Sequence, residues 1–452
     1  MAILYTFLRP FVYVSLNVYY RIDIKGLQNI PLNQPFVLAP NHSNGFVDPV
    51  LLPVYMRPKV RFFARGDVFK GKVAKWVLNQ MNASPMYRMQ EGYAEIKKND
   101  KSFEECRRLL TSNKPLLIFP EGLCVQQRRV QPLKKGLSRI VFQTLESIDY
   151  SKDILVIPVG LNFQEAPRFR SKVFVDVGQP ISIKSFEEKY KVDKVRAINE
   201  FTKLLEEKMK ENAHHINAIE NDGLVAEMEE VYTHQLLKDR NLNSSSLTNH
   251  PIASKEIIDM VNVLDVKNSD LLIRLKEQLH SYIKLLKTNN LRDHLLREES
   301  INKMNFGTFL LEYFIIYLGM PFYFIGLLLN YPPYYLAKKL ADRKVKKNEF
   351  YASFRANLSL IFWTIYFIIQ LLVVALVYRD WMLLGLFAST VILSGIFTIK
   401  FYPVMKKIFG RWRLLRMVRK DKKTVESIVN IRAEVMKALA DAKQLYLSLT
   451  TK

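Results

Sequence analysis

A histidine and an aspartate stand six positions apart in "FVLAPNHSNGFVDPVLLP", His42 and Asp48. An imidazole titrates near neutrality and is a natural general base. A carboxylate beside it fixes the tautomer and stabilises the imidazolium formed on proton uptake. On a helix, six residues amount to about 600° of rotation, which turns the two side chains to nearly opposite faces. Cooperation therefore requires a loop, and Asn44-Gly45 supplies its turn chemistry. Asp48-Pro49 before "VLLPVYM" also reads as a helix start, with Asp48 as N-cap and proline at the first helical position. Further on, "PLLIFPEGLC" is an apolar run that breaks at Glu121-Gly122. A glutamate at the end of a buried strand is suited to accept a hydrogen bond from a substrate hydroxyl. Between the two blocks lies "NASPMYRMQEG", where Arg88 closes a strand-like run and is suited to pair with a phosphate. Cys124 has no histidine near it in sequence and reads as a small packing residue rather than a covalent carrier.

These residues need a scaffold. At 452 residues the chain is long enough for two or three domains. Residues 21–184 alternate short β-rich runs ("PFVLAP", "KVRFFAR", "KPLLIFP", "ILVIPVGLNF", "KVFVDVG") with helical stretches ("SFEECRRLL", "GLSRIVFQTLESI"), the pattern of an α/β layer fold. Pro158 suggests an edge, a bulge or a strand end. Residues 185–306 read as amphipathic helices, with a polar linker at 241–251 and His214-His215 on a solvated helical surface.

The formal net charge is +24, which calls for an anionic partner. The two cysteines provide neither a disulfide framework nor metal-cluster spacing, and fit a cytosol-facing protein. Residues 307–402 are membrane-like. The stretches 358–378 and 381–399 carry no charge, and each is long enough to cross a hydrocarbon core of about 30 Å. The 331–356 loop holds seven Lys/Arg against two acids, and the 400–423 stretch ten against one. The positive-inside rule puts both in the cytoplasm, with residues 403–452 as a basic cytoplasmic helical tail. Two full spans satisfy that, so 307–337 is expected to be re-entrant or to cross as a helical hairpin bent at Pro321, the alternative being a kinked single span that puts residues 1–306 outside. Residues 1–20, interrupted by Arg9 and Pro10, read as an interfacial membrane-associated segment or a buried lead-in to the first strand.

The order "NHSNGFVDP … SPMYR … FPEG … VIPVG" resembles the glycerolphosphate acyltransferase superfamily over about residues 20–185. The resemblance implies an N-terminal α/β acyltransferase domain followed by a helical region and C-terminal transmembrane helices. Five residues separate His42 from Asp48 where the family usually has four, a spacing similar to the fungal glycerol-3-phosphate/dihydroxyacetone-phosphate acyltransferases. After "FPEG" many relatives continue Thr-Arg-Ser; here Leu123-Cys124-Val125 stand instead. Arg128, Arg129, Lys134 and Lys135 follow closely and either replace the missing charge or face anionic lipid.

By this resemblance His42 takes the proton of a substrate hydroxyl and Asp48 orients it. Arg88 and the 128–135 patch bind phosphate, while Glu121 and Gly122 shape the glycerol site. Backbone N–H groups near 42–45 are expected to hold the oxyanion. The implied reaction moves a fatty acyl group from acyl-CoA or acyl-carrier protein to glycerol 3-phosphate or dihydroxyacetone phosphate. It uses no cofactor and no metal, and runs on a membrane-bound enzyme whose catalytic domain faces the cytoplasm. Two alternatives are a lysolipid acyltransferase acting on 1-acylglycerol 3-phosphate, and a non-catalytic module that binds anionic membrane lipid. Nucleic acid is not an expected partner, because the basic runs flank the apolar spans and lack interleaved stacking aromatics.

Overall fold

Among the described residues, the β-branched and aromatic runs of the N-terminal part form one eight-stranded sheet. The strands are β1 (Tyr20–Lys25), β2 (Phe36–Pro40), β3 (Arg61–Arg65), β4 (Ala83–Met86), β5 (Leu116–Leu117), β6 (Leu155–Phe163), β7 (Ser171–Val177) and β8 (Ile181–Ser182). The spatial order is β1-β7-β6-β2-β5-β3-β4, with β8 beside β6. Neighbours run parallel except for the antiparallel pairs β6–β7 and β6–β8. The central strands are apolar on both faces, as a sheet covered by helices requires. Every residue of β2 is buried. Helix α5 (Gly136–Ser147) buries Leu137, Ile140, Val141 and Leu145, spaced three and four apart on one face, against this sheet's core. Phe142 stacks on Tyr190 with ring centroids 4.7 Å apart.

The computed structural model describes residues 3–56, 58–87, 99–243, 246–297 and 306–450. Two compact units divide the chain: Met1–Ile219 with Val345–Phe354, and Glu220–Lys344 with Arg355–Lys452. The first contains the sheet and α5, with α1 (Ile3–Tyr19), α2 (Asp48–Leu51), α3 (Lys72–Gln80), α4 (Asn99–Thr111), α6 (Glu187–Val192) and α7 (Lys194–Asn212). Arg9, which makes residues 1–20 a poor spanning segment, turns its guanidinium to the carbonyls of Val54 (3.1 Å) and Met56. Phe11, Tyr13, Val14 and Val18 on α1 stay exposed.

Pro158 is neither at an edge nor at a strand end. It lies inside β6, opposite Ala39 of β2, where the other side of the strand changes partner: β8 pairs at Leu155–Val156 and β7 from Val159 onward. A residue without an N–H fits that gap between ladders.

The second unit contains α8 (Asp222–Asp239), α9 (His250–Lys267), α10 (Ser269–Thr288), α11 (Phe306–Lys344), most of α12 (Asn348–Tyr378), α13 (Trp381–Lys420) and α14 (Lys422–Thr450). Among the described residues three helices, α11, α12 and α13, are long and apolar enough to cross a membrane. On α12, Leu372 and Leu376 are 56% and 74% exposed, part of an apolar helix surface.

The hairpin expected at Pro321 is not formed: α11 runs through Pro321, Pro332 and Pro333 without interruption. Packing carries it past Pro321, since Gly319 sits against the Phe401 ring and Tyr323 packs on Phe401. Its contacts on α13 climb from Trp412 (at Glu312) through Phe401 (at Gly319) and Ser394 (at Gly326) to Val391 (at Asn330). Further along α11, the Tyr334 ring meets the Arg355 guanidinium of α12.

Candidate active site

Strand β2 ends at Pro40 and delivers Asn41 and His42 to the carboxyl edge of the parallel strands, where open α/β sheets bind ligands. Asn41 is fixed to β6 through both side-chain atoms: Nδ2 donates to the Leu161 carbonyl at 3.1 Å and Oδ1 accepts from the Leu161 N–H at 2.6 Å. The chain then turns. The N–H groups of Val47 and Asp48 both donate to the Asn44 carbonyl, at 3.1 and 3.0 Å, and α2 begins.

This turn brings His42 and Asp48 together. His42 Nδ1 lies 2.9 Å from Asp48 Oδ2, which also accepts the Ser43 and Asn44 N–H groups at 2.8 and 2.7 Å. Asp48 is fully buried. A carboxylate offers only acceptors, so it holds the His42 proton on Nδ1 and leaves Nε2 free to take another. Among the described residues Nε2 has no hydrogen-bond partner. The imidazole stacks on the Phe119 ring, with centroids 3.9 Å apart and planes inclined by 20°. Asp48 does not cap α2, as the Asp-Pro signal suggests; its oxygen reaches back to the two preceding loop amides instead.

The neighbouring strand β5 supplies the second wall. After Phe119 the chain turns on Gly122, whose φ of 68° is left-handed and favours glycine. Glu121 does not face outward toward a substrate hydroxyl. It is 1% exposed, with Oε2 accepting the His42 N–H at 3.3 Å and Oε1 the Gln131 N–H at 3.2 Å. Burial pushes its carboxyl from the ordinary 4.5 up to about 8, against the two N–H groups that favour the ionised form. Glu121 thus ties the His42 loop to the basic stretch. The Val125 N–H, donating to the His42 carbonyl at 3.1 Å, adds a second tie.

Of the basic residues, Lys134 stands nearest this turn: its N–H donates to the Pro120 carbonyl at 2.7 Å, and its side chain passes over Gly122. Arg129, Lys134 and Lys135 are exposed and Arg128 is half-buried. The stretch is fastened from behind, by Arg128 O to the Ile216 N–H (2.8 Å) and the Val130 N–H to His215 Nδ1 (3.0 Å). His214 and His215 therefore follow α7 as a half-buried anchor, not a solvated helical face. Arg88 lies outside the described residues.

The backbone N–H groups near 42–45 are not available to an oxyanion. His42 donates to Glu121, Ser43 and Asn44 to Asp48, and Gly45 to the Glu349 carbonyl at 3.0 Å. Sequence reasoning also missed three participants. Asn41 carried only the generic signal of a polar residue beside a catalytic histidine, and Asn44 was read for its turn chemistry alone. Phe119 stood in the quoted block but read as part of a strand.

The sequence profile of the Acyltransferase family matches residues 21–162. A chloroplastic 1-acyl-sn-glycerol-3-phosphate acyltransferase of Brassica napus is 27% identical over 29% of this chain and 36% of its own length. Glycerol-3-phosphate O-acyltransferase 1 of Saccharomyces cerevisiae is 25% identical over 52% of this chain and 31% of its own. The chain thus spans about a third of the length of the curated relatives it matches. A crystal structure of the 1-acyl-sn-glycerophosphate acyltransferase from Thermotoga maritima is similar over 45% of this chain and 79% of its own, at 19% identity and a TM-score of 0.33. The match to the Acyltransferase family over residues 21–162, with glycerolphosphate acyltransferases among the relatives, supports the glycerolphosphate acyltransferase superfamily for that domain.

Proposed function

We propose that this protein transfers a fatty acyl group from a thioester donor, acyl-CoA or acyl-carrier protein, to a hydroxyl of glycerol 3-phosphate or dihydroxyacetone phosphate. The observation that carries the reading is the His42–Asp48 pair at 2.9 Å, with Nε2 of His42 unengaged at the carboxyl edge of the sheet. In the reaction, Nε2 takes the hydroxyl proton as the hydroxyl oxygen attacks the thioester carbonyl carbon. Asp48 stabilises the imidazolium, the C–S bond breaks, and the imidazolium returns the proton to the departing thiolate. Glu121 keeps the His42 loop and the basic stretch in register. Lys134, with Arg128, Arg129 and Lys135 in the same stretch and Arg88, supplies charge for the phosphate.

A small apolar cleft lined by Leu8, Val12, Pro49, Val50 and Phe62 opens beside the residues that follow Asp48. The yeast relative, named for glycerol 3-phosphate and matched over half of this chain, supports the first acylation. The plant relatives, named for 1-acyl-sn-glycerol 3-phosphate, support a lysolipid acceptor as the second reading.

The membrane part fits a lipid product. In our reading α12 and α13 cross as a hairpin, the two basic stretches lie at the anionic cytoplasmic surface, and the acyltransferase domain works on that same side. The test is an assay of purified protein in lipid with radiolabelled donor against glycerol 3-phosphate, dihydroxyacetone phosphate and lysophosphatidic acid side by side. Turnover of one of the first two, abolished by His42→Ala, is expected. Preference for lysophosphatidic acid would select the second reading, and no turnover of any acceptor would favour a lipid-binding module.

A further inference from the structure

The loop between His42 and Asp48 does not hold itself. Asp48 accepts the N–H groups of Ser43 and Asn44, but those of the next two residues go elsewhere. Gly45 donates to the Glu349 carbonyl at 3.0 Å, and Phe46 donates to Ser353 Oγ at 3.1 Å. The Ser353 hydroxyl in turn donates to Asn44 Oδ1. Both Ser353 and Asn44 are essentially fully buried. The Phe46 and Phe350 rings pack at 5.6 Å between centroids. A methyl group on Gly45 would fall 2.5 Å from the Phe350 ring, so glycine is needed there for close approach rather than for its backbone angles. The three residues Glu349, Phe350 and Ser353 all belong to the first turns of α12, far outside the matched 21–162 domain.

We propose that the start of α12 is a clamp on the catalytic loop and that Ser353 is a positioning residue for the His42–Asp48 pair. The proposal rests on the acyltransferase reading given above. Ser353 acts through Asn44 and Phe46: one hydroxyl serves as acceptor for the loop's N–H and donor to its buried amide oxygen. With both satisfied, Asn44 keeps its carbonyl toward Val47 and Asp48, the turn that holds Asp48 against His42. The helix that carries Ser353 continues directly into an uncharged stretch, 358–378, so the segment that seats the loop is also the entry to a membrane-length apolar helix.

The experiment compares wild type, Ser353→Ala, Ser353→Thr, Asn44→Ala and the Ser353→Ala/Asn44→Ala pair as full chains in lipid. It measures acyltransfer kinetics together with amide hydrogen exchange. Ser353→Ala is expected to lower kcat by about 10–100-fold while KM for either substrate changes by less than about twofold, because geometry and not substrate contact is lost. Exchange at residues 43–48 is expected to quicken without change on β6. The hydroxyl-retaining Ser353→Thr should keep slow exchange and most of kcat. The double variant should fall no further than the worse single one, since both act through one network.

A kcat for Ser353→Ala within twofold of wild type, additive effects in the double variant, or unaltered exchange at 43–48 would each overturn the clamp. If wild type itself turned over no acceptor, the functional reading would fail, and the exchange measurement would still judge the clamp.

Discussion

Replacing Asp48 by asparagine separates the charge of the pair from its shape. Asp48 Oδ2 accepts three N–H groups, while Oδ1 has no hydrogen-bond partner among the described residues. An asparagine can therefore place its carbonyl oxygen where Oδ2 stands, keep all three bonds, and put its NH2 in the unoccupied position. What disappears is the negative charge that stabilises the imidazolium in the transition state. With charge centres about 3–4 Å apart and an effective dielectric near 20, the lost attraction is roughly 4–6 kcal/mol, or about 10³–10⁴-fold in kcat.

Asp48→Ala differs in kind. It leaves the Ser43 and Asn44 N–H groups buried without acceptors, at about 1–3 kcal/mol each, so stability falls together with activity. The assay is single-turnover acyltransfer with radiolabelled donor, paired with thermal unfolding of the same samples. The expected pattern is Asp48→Asn inactive with a near-wild-type transition, and Asp48→Ala inactive with a lowered one. An Asp48→Asn variant within tenfold of wild-type kcat would refute the role given to the carboxylate.

Glu121 and the membrane region give two further predictions. The folded protein holds a proton on Glu121 up to about pH 8, whereas the unfolded chain releases it near 4.5, so this group's contribution to stability is full below 4.5 and is lost as pH rises through 8. The loss is on the order of 5 kcal/mol. Glu121→Gln puts an NH2 opposite one of the two backbone donors, so it should be less stable than wild type at pH 5 and should close that gap by pH 9. Parallel stability-against-pH curves, measured by urea denaturation, would sink the assignment. For topology, cysteines placed at Asn290 and Val345, in a background lacking Cys106 and Cys124, should be labelled from the same face of sealed vesicles. The basic stretches 331–356 and 400–423, which two full spans suffice to place on one side, motivate this expectation. Labelling from opposite faces would make α11 a full crossing.

Much of this was legible in the sequence where the information is local. The β2, β3, β6 and β7 runs announce themselves by composition, and the His42–Asp48 spacing demands the loop that forms. Three failures share one cause: the deciding partner is remote in the chain. The Asp48-Pro49 signal is a genuine helix start, yet the carboxylate is drawn to His42 and the preceding amides. Glu121 looks like a substrate ligand from its turn, but the His42 N–H lies 79 positions away and claims it. The oxyanion expectation fails for the same reason, since nothing near residue 45 reveals that Glu349 already holds its N–H. Pro158 is a different case. Its effect on a strand depends on which neighbours pair there, and β7 and β8 leave a gap where it falls.

The distance along the chain from Phe46 to Ser353, 307 positions, also has a meaning in time. At about 5–20 residues per second, a ribosome needs roughly 15–60 s to travel from one to the other. During that interval the strands that flank β2 emerge, but the amides of Gly45 and Phe46 have only water to bond. The helix that completes them is the same one that enters the apolar hairpin. A newborn chain therefore completes the hydrogen bonds of the His42–Asp48 loop only as the helix that leads into its apolar 358–378 stretch is made.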